Sequence, residues 1–138
     1  MAIKFTDNSD IVKRELEKKI LKALSVIGEA AEGYAKEDCP VDTGRLRNSI
    51  TYATHEKHSK GNTHKHPKGK QDARSSEYEA HAKPEKNCVC IGTNVEYAQY
   101  VEFRSLNHTI GKAHFLRDAV LDHKDEYKDY AETILKAD

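Results

Sequence analysis

A single Asp-Thr-Gly tripeptide is the pattern in this chain that most directly suggests catalysis. It occurs once, as Asp42-Thr43-Gly44, just after Pro40. In aspartic proteases this tripeptide supplies a catalytic carboxylate, and the chemistry needs two such carboxylates that share a proton. A single copy, in a chain whose pattern predicts few strands, does not provide that pair. We therefore interpret the tripeptide as a structural turn and predict no catalytic residue.

Paired cysteines and histidines are the second candidate for chemistry, because zinc binds nitrogen and sulfur ligands in a tetrahedron. Cys88 and Cys90 are two residues apart, as are His64 and His66, so each pair would share one side of an extended strand. This spacing differs from the usual zinc patterns. We predict no metal site and no cofactor, with both cysteines packed as small buried apolar groups. Cys39 has no base placed beside it by spacing, and we interpret it as structural.

A polar segment from about residue 55 to residue 86, here called the excursion, is the third candidate. It holds five of the eight histidines and no Val, Ile, Leu, Met, Phe or Trp. Between residues 57 and 74 a single acidic residue accompanies six basic ones, which are Lys57, Lys60, Lys65, Lys68, Lys70 and Arg74. Three interpretations stay open: sequence-independent contact with DNA phosphates, docking on an acidic neighbouring protein, and a solvated loop.

Length and charge exclude several classes of protein. A chain of 138 residues is one domain by size, residues 1–138, interrupted by the excursion. Equal numbers of basic and acidic residues, 23 each, exclude a uniformly basic nucleic-acid-binding protein. No apolar run approaches the ~20 residues of a membrane span, and the N-terminus lacks the apolar core of a signal peptide. We therefore expect no membrane contact and a reducing, cytosolic setting.

The hydrophobic pattern predicts the elements that must position these residues. Apolar residues at spacings of three and four predict a long helix over 10–36, and the stripe consists of Val12, Leu16, Ile20, Leu24, Ile27, Ala31 and Tyr34. The rest of the chain cannot cover so long a helix, which leaves part of the stripe for another subunit. Apolar alternation predicts strands over 49–54 and 88–91, paired antiparallel with the excursion as an enlarged hairpin loop.

Two further helices complete the predicted fold. A short middle helix begins near Asn94, with Val95, Ala98 and Val101 on its inner edge. A C-terminal helix spans about 114–136, and its stripe consists of Leu116, Val120, His123, Tyr127, Tyr130 and Ile134. The predicted fold class is α+β, a small antiparallel sheet with a long N-terminal helix, a short middle helix and a C-terminal helix.

Three stretches of the sequence, in this order, resemble the signatures of a known family. They are residues 40–50 (PVDTGRLRNSI), 97–103 (YAQYVEF) and 115–120 (FLRDAV). They are similar to the patterns P-x-D-T-G-x-L-R-x-S-I, Y-A-x-Y-V-E-F, and F-L-x-x-A followed by an apolar residue. The chain thus resembles the tail-component family of long-tailed bacteriophages and prophages, named for the tenth gene product of a lambdoid coliphage. That family usually has proline where this chain has His114, so we expect the loop before the third stretch to differ.

The resemblance implies a non-enzymatic virion morphogenesis protein of a phage or prophage. Such proteins act in tail completion or head–tail joining, and they form rings with their own copies and with neighbouring neck or tail proteins. A hexamer is the ring that we favour, because it matches tail symmetry. The resemblance places the protein in the host cytoplasm during assembly and then in the tail or neck of the virion. The alternative is a DNA-binding or regulatory module that uses the basic residues of the excursion.

The resemblance also implies structural roles for the motif residues. They are Asp42, Thr43, Gly44, Leu46, Tyr97, Ala98, Tyr100, Glu102, Phe115 and Leu116. From the same motifs we expect Glu102 to form an ion pair with Arg45 or Arg47.

Overall fold

A computed structural model of the protein describes residues 8–40, 45–57, 59, 83–103 and 113–137. The helices and strands in these residues are, in chain order, α1 (Ser9–Asp38), α2 (Arg45–Ser49), β1 (Thr51–Thr54), β2 (Val89–Gly92), α3 (Ala98–Phe103), α4 (Phe115–Leu121) and α5 (Lys124–Lys136). The long N-terminal helix lies against a two-stranded antiparallel sheet and against the C-terminal helices. The α+β class predicted from the sequence is confirmed.

The long helix α1 is buried mainly in its C-terminal half. It has 30 residues, and at about 1.5 Å per residue it is roughly 45 Å long. Its buried residues are all small, namely Ala23, Gly28, Ala31 and Ala35, so neighbouring elements approach its backbone closely. The first two turns are exposed, as the length of the predicted helix requires.

The strand β1 is completely buried, and β2 is not. Tyr52 of β1 lies opposite Ile91 of β2, and Ala53 lies opposite Cys90. All four residues of β1 are buried, whereas β2 is half-buried or exposed. The ring of Tyr52 packs on the backbone of α1 at Gly28. The pleat therefore places one face of both strands on α1.

The start of the excursion follows the other edge of β1. The backbone N–H of Thr54 donates to the carbonyl oxygen of Lys57 at 2.6 Å, and that of Ser59 donates to the carbonyl oxygen of Tyr52 at 2.9 Å. The Ser59 hydroxyl also accepts the N–H of Tyr52 at 2.9 Å. Because β2 occupies the opposite edge of β1, these first residues of the excursion lie along the edge that β2 leaves free. The antiparallel pairing of β1 with β2 is as predicted, and residues 58 and 60–82 of the excursion that connects them lie outside the described residues.

The predicted continuous C-terminal helix is wrong in one respect, because the chain breaks it at Asp122-His123. The hydroxyl of Tyr127 donates to the carbonyl oxygen of Ala119, the acceptor that residue 123 would use in a continuous helix. After the break, α5 runs antiparallel to α1. The predicted stripe is correct at Tyr127, which is buried, but wrong at Val120, which is exposed.

Candidate functional site

The three motif stretches meet in one buried cluster, here called the motif core. The first stretch contributes Leu46 and Ile50, the second contributes Ala98, and the third contributes Phe115. The complete cluster is Ala35, Cys39, Leu46, Ile50, Val95, Ala98, Phe115 and Ala119, with Tyr97 and Leu116 packed against it. Asp42, Thr43 and Gly44 lie outside the described residues, so their turn stays a prediction.

A buried carboxylate joins the second stretch to the third. Glu102 is 7% exposed, and its two oxygens accept the backbone N–H groups of Leu116 and Arg117, each at 3.0 Å. Its own carbonyl oxygen accepts the N–H of His114 at 3.0 Å. The first N–H groups of a helix have no partners inside the helix, and the helix dipole favours a negative charge there. Glu102 therefore caps α4 from a different helix.

The approach to α4 has an unusual backbone conformation. His114 precedes the helix with φ of 60°, in the left-handed region. A proline ring fixes φ at about −65°, so a proline at this position could not adopt this conformation. Residues 104–112 of the loop before the third stretch lie outside the described residues, so the expected difference in that loop stays a prediction.

The expected ion pair of Glu102 with Arg45 or Arg47 is wrong. The Arg45 guanidinium instead lies 3.2 Å from the Glu96 carboxylate and 5.4 Å from the centre of the Tyr97 ring. Both carboxylate oxygens of Glu102 are already used by the backbone of α4. Sequence spacing could not show this, because the two interacting segments are separated by a loop.

Short polar contacts join the first stretch to the segment just before the second, at Thr93 and Val95. The Ser49 hydroxyl donates to the carbonyl oxygen of Leu46 at 2.7 Å and shares a hydrogen bond with the Thr93 hydroxyl at 2.5 Å. The Thr93 hydroxyl in turn accepts the N–H of Val95 at 3.2 Å. Ser49 is 1% exposed, so these bonds satisfy a buried hydroxyl within the motif core.

The three thiols have different environments. Cys39 is fully buried, and burial raises the pKa of its thiol to about 12, which suppresses the reactive thiolate. Cys88 and Cys90 are free and exposed, so the prediction that they are buried is wrong. The alternation is nevertheless as predicted, because Val89 and Ile91 are more buried than either cysteine. In the described part of the chain, no group of three or more His, Cys, Asp or Glu residues could hold a metal ion.

An aromatic and acidic cluster fastens α5 to α1. The ring of Tyr34 stacks on the ring of His123 with centres 3.5 Å apart and planes parallel within 1°. The Tyr34 hydroxyl donates to one oxygen of Glu126, and the Tyr130 hydroxyl donates to the other. These hydrogen bonds, first that of Tyr130 and then that of Tyr34, lower the pKa of Glu126. The Glu126 bond in turn raises the pKa of Tyr34 to about 12.

A comparison with known families covers the first two motif stretches. Residues 3–103 match the family described as "Bacteriophage HK97-gp10, putative tail-component". This match covers well over half of the chain. The chain belongs to the HK97-gp10 tail-component family. Comparison with curated proteins and with solved structures found no match to the chain.

Membership of the HK97-gp10 family is consistent with a structural role for the motif core. A tail component is a structural part of the phage particle, and the motif residues Leu46, Ala98 and Phe115 lie in the core of this fold. Phe115 and Leu116 lie beyond the matched residues, yet they complete the same core. None of the described helices is long and apolar enough to cross a membrane.

The second motif of this HK97-gp10 family member also presents an outward face. Ala98 and Glu102 point into the protein, whereas Tyr100 is 54% and Phe103 is 75% exposed. Tyr100 is therefore a motif residue that the core does not require. Exposed aromatic side chains are typical of protein–protein interfaces.

Of the six basic residues predicted to contact DNA or a partner, only Lys57 lies among the described residues. Its side chain is exposed, and its backbone is held on the edge of β1. Lys60, Lys65, Lys68, Lys70 and Arg74 lie outside the described residues. The role of these six residues as DNA or partner contacts therefore stays a prediction.

Proposed function

We propose that the protein is a non-enzymatic structural component that acts in tail completion or head–tail joining of a tailed phage or prophage. The observation that carries this proposal is the placement of the family motifs. Leu46, Ala98 and Phe115 pack in a closed apolar core, and Glu102 is used as a helix cap. A motif set built around an active site would instead direct polar groups toward an accessible cavity.

Ring assembly is the proposed mechanism. Copies of the chain associate through exposed side chains, such as Phe103 on the outward face of α3, and the closed ring docks on other neck or tail proteins. A hexamer would match the symmetry of a phage tail. Assembly would take place in the host cytoplasm, and the protein would remain in the tail or neck of the virion.

Electron microscopy of an induced lysate from a strain that lacks this gene tests the proposal. Filled heads and separate tails are expected if the protein joins the two. A plasmid copy of the wild-type gene is the matched control and should restore joined particles. Intact, infectious particles without the gene would contradict the proposal.

A second candidate function is sequence-independent contact with DNA. The observation that favours it is the local charge, because six basic residues and one acidic residue lie between 57 and 74 in a protein with no net charge. DNA that passes through the centre of a neck ring would meet such a segment. Phosphate contacts of this kind weaken steeply as the salt concentration rises.

Binding of the purified protein to random duplex DNA at increasing salt concentrations tests this second function. Replacement of the six basic residues by glutamine should abolish salt-sensitive binding. Replacement of six lysines on α1 and α5 is the matched control and should leave binding unchanged. Equal binding by both variants would show that the excursion is not the contact.

A further inference from the structure

The N-terminal end of α1 extends beyond the rest of the helical layer. The Lys19 ammonium group donates to the carbonyl oxygen of Ala137, so α5 ends beside Lys19. The ten residues from Ser9 to Lys18 extend about 15 Å further at 1.5 Å per residue. They carry three exposed apolar side chains, Ile11, Val12 and Leu16.

These exposed side chains lead into a groove. Val12 and Leu16 belong to a stripe that continues at intervals of four residues to Ile20 and Leu24, so all four lie along one side of α1. Ile20 and Leu24 line a half-open groove of about 390 Å³, together with residues from both ends of the excursion. The chain thus presents apolar side chains at the exposed end of α1 and, further along the same helix, a groove in which Ile20, Leu21 and Leu24 lie among charged and polar side chains.

The charges around this surface favour a partner with a similar balance of charge. The exposed end of α1, from Ser9 to Lys18, carries three acidic residues, Asp10, Glu15 and Glu17, and three basic residues, Lys13, Arg14 and Lys18. Glu17 is paired with Lys86 across the rim of the groove at 3.0 Å. Nucleic acid or a strongly acidic protein would meet as many repulsive as attractive groups here. A second copy of the chain has the same mixed charges and no net charge.

We propose that two copies of the chain pair through α1 in antiparallel orientation. In this arrangement Val12 and Leu16 of one protomer lie over Ile20 and Leu24 of its partner, and the reverse contact forms at the same time. Such a two-fold interface buries the exposed apolar side chains and the groove together. The pairing goes beyond the proposed function, because a two-fold contact is not one of the head-to-tail contacts that close a cyclic ring; it describes the free chain before the ring forms.

Sedimentation equilibrium of the purified full-length chain tests the pairing. The wild-type protein should show a reversible monomer–dimer equilibrium. Leu16→Glu should weaken the dimer at least ~10-fold, because it places a charge in the apolar contact. Leu121→Glu is the matched control and should leave the equilibrium unchanged, because Leu121 is an apolar residue of similar exposure (53% against 49%) on a different helix.

The possible outcomes separate the alternatives. A wild-type chain that is monomeric even at millimolar concentration would overturn the proposal and leave the surface to another tail protein. A dimer that Leu121→Glu disrupts and Leu16→Glu does not would place the contact elsewhere. Far-UV circular dichroism of both variants checks that they are folded. Neither contrary result affects the particle phenotype of the gene deletion, so the pairing and the proposed function fail independently.

Discussion

The carboxylate of Glu102 accepts the backbone N–H of Leu116 at 3.0 Å and thereby connects two sequence motifs through one helix cap. Glu102 lies in the second motif, and Leu116 lies at the start of α4 in the third. The contact explains why an acidic residue belongs inside an otherwise apolar motif. A charged side chain is rarely buried unless its charge is satisfied, and here two N–H groups of α4 satisfy it.

Replacement of Glu102 by alanine should destabilise the protein. The loss of a cap with two charge-assisted hydrogen bonds is expected to lower the free energy of unfolding by about 2 kcal/mol. Urea denaturation, monitored by circular dichroism, measures this change. Glu102→Gln should cost less, because an amide oxygen can still accept one of the two N–H groups.

Glu96→Ala is the matched control for that prediction. Glu96 is an acidic residue of the same region, but its contact with Arg45 is at the surface. Exposed ion pairs of this type contribute at most about 1 kcal/mol. Equal losses in the Glu96 and Glu102 variants would contradict the capping role.

Two glycines of α1 should respond to alanine in opposite ways. A methyl group at Gly28 would lie 2.6 Å from Cδ2 of Tyr52 and 3.0 Å from Cγ2 of Val89, whereas a methyl group at Gly33 would meet no atom within 4 Å. Gly28→Ala should therefore destabilise the protein by about 1–3 kcal/mol through overpacking. Gly33→Ala should stabilise it by about 0.5–1 kcal/mol, because alanine favours the helix.

Thermal denaturation of the two glycine variants provides the comparison, and each serves as the control for the other. Stabilisation by both substitutions would mean that the sheet does not approach α1 closely at Gly28. In a Tyr52→Ala background, Gly28→Ala should cost less stability than in the wild type, because the Tyr52 atoms that the methyl group meets are then absent.

The thiols should react in two classes. Cys88 and Cys90 are exposed and should react rapidly with a disulfide reagent in the native protein. Cys39 should react only after unfolding, because it is buried and its pKa is raised to about 12. Spectrophotometric thiol titration with and without denaturant measures both classes. Rapid reaction of all three thiols in the native protein would contradict the burial of Cys39.

The stability contributed by Glu126 should depend on pH. Hydrogen bonds from Tyr130 and Tyr34 hold the pKa of Glu126 below its ordinary value of 4.5. A carboxyl group with a lowered pKa in the folded state stabilises the fold above its ordinary pKa, and this contribution is lost as the pH falls through the folded-state pKa. The difference in Tm between the wild type and Glu126→Gln should therefore shrink between about pH 5 and pH 3.

Tyr130→Phe separates the ionic contribution from simple packing. This variant removes the largest cause of the lowered pKa and keeps the aromatic ring. An NMR titration of the Glu126 carboxyl group should show a higher pKa in the variant than in the wild type. An unchanged pKa would mean that the tyrosine does not stabilise the carboxylate.

The elements with regular spacing could be predicted from the sequence. The apolar stripe of α1 predicts a long helix, and the alternation of Val89 and Ile91 with the cysteines predicts β2. The break at Asp122-His123 could not be predicted, because the apolar spacing continues across it. The break depends on the Tyr127 hydroxyl, which donates to the carbonyl oxygen of Ala119 in place of the backbone N–H of residue 123.

Contacts between segments that are far apart in the sequence also could not be predicted. The motif pattern places Glu102 among apolar residues, but charge alone suggests an arginine as its partner. The actual partners are backbone N–H groups, which every residue except proline carries and which no sequence pattern distinguishes. The same reason applies to the edge of β1, where the partners of Tyr52 and Thr54 are the backbone and hydroxyl groups of the excursion.

The full burial of Phe115 has a consequence for how the protein can be divided. The family match ends at residue 103, but Phe115 fills the centre of the core that the matched residues build. A fragment that stops at Phe103 would expose Leu46, Ile50 and Val95 to water and leave the Glu102 carboxylate without its helix. The end of the family match at residue 103 is therefore not a position at which the chain can be truncated without loss of the fold.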